Sequence, residues 1–174
     1  MVGAGAEKAE AQVEALTAKM GASPDAKDKR GVPAVIRAAQ YGHANCVDAL
    51  VRAGAGVNHT HSQGSTRGVT AVMVAANKGR LDCLESLILA GAEVNHAQST
   101  GWTALMYAAG QGHHATVRLL LRAGVDTNLR SEHGKSALQM AKEEGHAECV
   151  EAFRQHIAEV TASHREAAAD VEGG

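Results

Sequence analysis

The chain has 174 residues, carries 17 Lys plus Arg against 19 Asp plus Glu for a net charge of -2, and is 45% apolar. That charge excludes a nucleic-acid footprint held by bulk positive charge, and no apolar run approaches the roughly 18 residues that a membrane span needs. The apolar fraction contains 35 Ala and only four aromatic residues, Tyr41, Trp102, Tyr107 and Phe153, so with 19 Gly the side chains suit thin, closely stacked helical layers rather than one thick core.

Taken in chain order, Met1 to Lys8 has neither a basic n-region nor an apolar h-region, so no secretory signal is read and an intracellular, cytoplasmic address is the expectation. Glu7 to Met20 sets Val13, Leu16 and Met20 on one helical face and reads as a capping helix. From Gly31 onward the chain repeats itself. Gly31, Gly68, Gly101 and Gly134 lie 37, 33 and 33 residues apart, and Gly42, Gly79, Gly112 and Gly145 keep the same spacing. Asn58, Asn95 and Asn128 follow in step, which predicts four units of 33 residues with a four-residue insertion in the second, near His61 to Gly64.

Each unit converts to structure in the same way. A hydroxyl residue, Thr70, Thr103 or Ser136, precedes a short small-apolar helix that ends at the mid-repeat Gly. A second helix follows, with Val117, Leu120 and Leu121 at i, i+3 and i+4, matched by Val47, Leu50 and Val51 and by Leu84, Leu87 and Ile88. Gly54 to Thr60, Gly91 to Ala97 and Gly124 to Arg130 then form turn-rich fingers. The predicted segments are 1–27 (end, capping helix and half repeat), 28–60, 61–97, 98–130 and 131–168 (four repeats, the last with an extended helix) and a flexible tail over 169–174. Val150, Phe153, Ile157 and Val160 continue one face of that last helix to about Ala168, with Phe153 as its bulky cap residue.

The stretches Gly101-Trp-Thr-Ala-Leu-Met-Tyr-Ala-Ala-Gly-Gln-Gly-His113 and Gly91-Ala-Glu-Val-Asn95 resemble the ankyrin repeat family, from Asp28 to about Ile157. Gly21 to Ala26, lying 33 before Gly54 to His59, adds a half repeat. The chain departs from the family pattern at two positions of every unit. The family's Pro is Ala34, Ala71, Ala104 and Ala137, and its His is Ile36, Met73, Met106 and Gln139. The resemblance implies an all-α ankyrin solenoid, and it makes Asn95 a candidate for hydroxylation.

The chemistry-bearing residues have plain readings. Cys46, Cys83 and Cys149 share one repeat position, filled by Thr116 in the third unit, and read as reduced packing residues. His43, His113 and His146 start second helices. His59 and His96 are equivalent finger positions, with His61 placed in the insertion; no carboxylate or thiolate completes a tetrahedral set, so no metal is assigned. No nucleophile elbow, Walker loop or H-E-x-x-H pair is present, and Glu143 and Glu144 diverge by about 100° as helix neighbours. No catalytic residue, cofactor or small-molecule substrate is assigned.

What the resemblance implies instead is binding of a protein partner, through the fingers and the exposed ends of the first helices that line a concave groove. Position by position these are Lys29, Arg30, Val32, Gln40 and Tyr41, then Thr66, Arg67, Val69, Asn77 and Lys78. The third unit adds Ser99, Thr100, Trp102 and Gln111, and the fourth Glu132, His133, Lys135, Glu143 and Glu144. Trp102 is either an interface anchor with no packing duty or a cover for the next repeat's stem. The charges grade from basic in the first two units to acidic in the fourth, which orients a partner, or else they are simply scattered. A protein-interaction scaffold is the leading reading. The alternative is a structural subunit of a larger assembly held through the convex face and the C-terminal helix.

Overall fold

The computed structural model describes residues 23–61 and 67–172; the capping helix expected over 7–20 lies outside them. Among the described residues the chain forms eight helices: α1 (Ala34–Tyr41), α2 (Ala44–Arg52), α3 (Ala71–Lys78), α4 (Leu81–Leu89), α5 (Ala104–Gly110), α6 (His114–Arg122), α7 (Ala137–Glu143) and α8 (Ala147–Glu172). They fall into four antiparallel pairs. The first helices α1, α3, α5 and α7 stack in sequence as one layer, and α2, α4, α6 and α8 stack as a second.

Capping starts the first helices where hydroxyls were expected. The side chains of Thr70, Thr103 and Ser136 accept from the backbone N–H groups of Met73, Met106 and Gln139, and Ser136 with Gln139 closes a reciprocal capping box. Pro33 fills this place before α1 without a side-chain bond. At their far ends Gly42, Gly79, Gly112 and Gly145 take φ of 77°, 63°, 76° and 75°, left-handed backbone that turns the chain into the second helix.

The two layers bury side chains of different size. In the first layer Ala38, Ala39, Ala75, Ala76, Ala108 and Ala109 are buried, so backbones approach closely; in the second, Val47, Leu50, Leu84, Leu87, Val117 and Leu120 fill the space between pairs. The positions where the family carries His are buried apolar residues in three units, Ile36, Met73 and Met106, while Gln139 is spent on the capping box. Polar ties between repeats come from elsewhere. His113 Nε2 lies 3.1 Å from the carbonyl of Asn77, and His146 Nε2 lies 3.0 Å from that of Gly110, each ring lying across the preceding unit's Gly79 or Gly112.

The fingers are stitched by one repeated bond. Asp25 Oδ1 accepts the N–H of Gly56, Asn58 Oδ1 that of Glu93, and Asn95 Oδ1 that of Asp126, each at 2.8 Å. This ladder places Asp25 in register with the Asn series. The finger turns are closed by Asp28 N–H to Val32, His61 N–H to Val69, Gln98 N–H to Trp102 and Ser131 N–H to Lys135, at 2.9 to 3.0 Å. His61 is therefore a regular repeat position, equivalent to Asp28, Gln98 and Ser131. The four extra residues lie between it and Gly68, which corrects the assignment of His61 to the insertion.

At the C-terminal end Cys149, Ala152 and Phe153 are buried, and Phe153 closes the stack as expected. The helix runs farther than the predicted Ala168, to Glu172. Its physical reason is the Ala-rich run over 167–169 with no Gly or Pro before Gly173, so nothing in the chain stops propagation earlier.

Candidate protein-binding surface

The first helices and the fingers share one side of the solenoid, and most of the residues singled out from sequence line two clefts there. The first cleft, about 660 Å³, lies between α1 and α3 and is lined by Lys29, Arg30, Val32, Gln40, Val69, Asn77 and Lys78, together with Ile36, Arg37, His61 and Val74. The second, about 460 Å³, is lined by Trp102, Gln111, His133, Lys135, Glu143 and Glu144, with Gly110, Ser131 and Met140. Both are within the size range of side-chain and ligand pockets.

Six candidates do not line these clefts. Tyr41 is 62% exposed at the end of α1, its ring 6.2 Å from that of His43. Arg67 and Ser99 are exposed and joined by a backbone bond from the Ser99 N–H to the Arg67 carbonyl at 3.1 Å, and Thr100 O accepts from the Glu132 N–H at 3.0 Å. Glu132 is exposed beside His133. Thr66 lies outside the described residues. Val32 is a core residue whose surface forms cleft floor, not a free side chain.

Trp102 has the packing duty that one of its two readings denied it. Its indole is half-buried and stacks obliquely on Tyr107, with centroids 5.0 Å apart and planes at 45°. The pairing follows from register: Trp102 precedes the α5 cap Thr103, and Tyr107 lies one turn into α5 on the same side. Burial raises the Tyr107 hydroxyl pKa, with a hydrogen bond from Gln98 working against it.

Electrostatics separate the two clefts. Around the first, Lys29, Arg30 and Lys78 make no ion pair among the described residues, while Arg37 is held by Asp28 at 2.6 Å. The Asp28 carboxylate accepts the N–H of Val32 and that of Arg30 as well as the Arg37 guanidinium, and these bonds, the Val32 bond foremost, lower its pKa to about 2. In the second cleft Lys135 pairs with Glu143, leaving Glu144, while Glu132 outside it lies 3.6 Å from the His133 ring. The expected basic end is thus present, and at the acidic end Lys135 offsets Glu143 alone. Sequence reasoning missed Arg37, His61 and Val74 as cleft residues. The signal for Arg37 was Asp28 nine residues earlier, at a spacing no helical or strand period exposes.

The other titratable groups are structural. Cys83 and Cys149 are buried and Cys46 half-buried, and desolvation pushes the Cys83 thiol up to about 11 and the Cys149 thiol upward too. His61 Nε2 meets the carbonyl of Arg30 at 3.3 Å and His96 Nε2 that of Gly68 at 3.1 Å, while His59 lies 3.7 Å from Asp25. Each imidazole faces the preceding repeat's finger instead of its neighbour His, and among the described residues no group of three or more His, Cys, Asp or Glu is placed to hold a metal ion. Among them, too, no helix is long and apolar enough to cross a membrane.

A family model described as ankyrin repeats (3 copies) matches residues 2–98 and, overlapping them, residues 72–164. No curated protein matches the chain. Ankyrin repeats are general protein–protein interaction modules, typically without enzymatic activity. With that match, the stacked pairs and the finger ladder, the chain belongs to the ankyrin repeat family.

Proposed function

We propose that this chain is a non-enzymatic scaffold or adaptor module that receives a protein partner on the concave face made by α1, α3, α5, α7 and the fingers. The observation that carries the reading is the gathering of thirteen of the candidate residues into two open clefts on that one face. The mechanism is display. Rigid stacking and the Asp25, Asn58 and Asn95 bonds hold loops that would otherwise lose entropy on binding, so the partner meets a preorganised surface.

A second reading is supported by a specific observation at the open end. Ile157 is 56% exposed and Val160 41% exposed on α8, and Ile157 continues a shallow cleft of about 200 Å³ lined by Leu138, Lys142, Val150 and Arg154. A structural subunit would be held there. Binding of a purified partner to Tyr41→Ala with Gln111→Ala, both exposed, and to a chain ending at Gln155 separates the two. The concave reading predicts loss with the first and normal binding with the second; the reverse pattern establishes the alternative.

A further inference from the structure

The cleft between α1 and α3 carries a charge that runs against the rest of the molecule. A chain with net charge -2 places Lys29, Arg30, Arg37 and Lys78 around one cavity, with no carboxylate among the lining residues and one, Asp28, bonded to Arg37 behind it. Three of these cations have no anionic partner among the described residues. Between them the floor is aliphatic: Val32 and Ile36 are buried, and Val69 and Val74 are half-buried and reachable.

We propose that this cleft docks an acidic segment of a protein partner, which sets one aliphatic side chain on Val69 and Val74 and its carboxylates against Lys29, Arg30 and Lys78. The proposal rests on the concave-face reading and names the partner's chemistry at one end of it. Three observations choose this occupant. The unpaired cations demand anions, because bringing like charges together uncompensated is unfavourable and a complementary field orients the encounter. The aliphatic floor demands an apolar side chain, and about 660 Å³ exceeds what one carboxylate fills. No Phe, Tyr or Trp ring lines the cavity, so the broad stacking platform on which single-stranded nucleic acid relies is missing from it. The second cleft, with Lys135 already bonded to Glu143, lacks this unanswered charge.

The test uses the full chain and a synthetic peptide of about ten residues, about 33 Å when extended, made of Asp and Glu around a central Leu. Amide chemical shifts locate the binding, and matched peptides of Lys around Leu and of Asp and Glu without Leu serve as comparisons. Shifts confined to residues 29–40 and 67–78 are expected from the acidic Leu peptide, weaker ones without Leu, and none from the basic peptide. The double variant Lys29→Glu with Lys78→Glu, whose exposed side chains leave the fold intact, should weaken binding about tenfold or more. Raising salt should slow association, since these charges act over about 8 Å at physiological ionic strength. Arg118→Glu on α6, away from the cleft, should bind normally.

Stronger binding of the basic peptide to the same amides overturns the acidic assignment and leaves the concave reading standing. Shifts confined to α8 overturn both. Short single-stranded DNA binding the cleft as tightly as the acidic Leu peptide overturns the peptide assignment, and so does unchanged affinity in the double variant.

Discussion

The carboxamide oxygen of Asn95 accepts the backbone N–H of Asp126 at 2.8 Å, across a sequence separation of 31 residues. One polar side chain therefore fixes the spacing of two fingers on the surface that is proposed to meet the partner. Replacing Asn95 with Ala should cost about 0.5–1.5 kcal/mol, the net value of such a bond. Asn128→Ala should cost less, because among the described residues no later finger N–H meets it. Urea melts of the two variants check this, and equal effects would contradict the ladder. Hydroxylation of Asn95, if it occurs, falls on this same side chain; intact-mass measurement of protein from its native cell reads it as one added oxygen.

Deleting core volume should be far more costly than deleting surface charge. Leu120 is fully buried between α6 and its neighbours, so Leu120→Ala should destabilise by about 2 to 5 kcal/mol through the cavity it leaves. Lys78→Ala, exposed at the end of α3, should change stability by no more than about 0.5 kcal/mol. Trp102→Ala falls between, at about 2 kcal/mol, since a half-buried ring loses only part of the roughly 3–5 kcal/mol of a core aromatic. A Trp102 variant that melted like wild type would mean the Tyr107 contact is not formed in solution.

The stacked units were legible in the sequence because their signals are backbone requirements. Gly after each first helix and Thr or Ser before three of them are demanded locally, so they recur with the repeat whatever the partner. The Arg37–Asp28 pair, the Trp102–Tyr107 contact and the inter-repeat bonds of His113 and His146 were not legible, since they depend on how units turn against each other. The place of His61 was misread for a related reason: only the turn-closing bond to Val69 shows that the insertion begins after it. Thirteen of the residues singled out from the sequence line the two clefts, but the Lys135–Glu143 pair eight residues apart was not legible.

Acid should unfold the chain partly through Asp28. Its pKa is lowered from 3.8 to about 2 in the fold, so its bonds stabilise fully above the unfolded value near 4 and are lost as pH falls through about 2. Asp28→Asn, which cannot ionise, should flatten the decline of melting temperature between about pH 4 and pH 2. An unchanged acid slope would show that the Val32 and Arg37 contacts do not hold the carboxylate in solution.

Thiol reactivity should follow burial. In the native protein at pH 8, iodoacetamide should label half-buried Cys46 before Cys83 and Cys149, whose thiols are buried and kept protonated by desolvation. In urea all three should react alike. Mass spectrometry of the tryptic peptides resolves the order, and early labelling of Cys83 would contradict the packing of α4 against α2.

Hydrogen exchange on the chain bound to its purified cellular partner tests the proposed binding face most directly. New protection should appear over 29–41, 67–78, 99–111 and 132–144, the fingers and first-helix ends, with α8 exchanging as in the free protein. Protection confined to 147–165, with those four segments unchanged, would contradict the concave-face account.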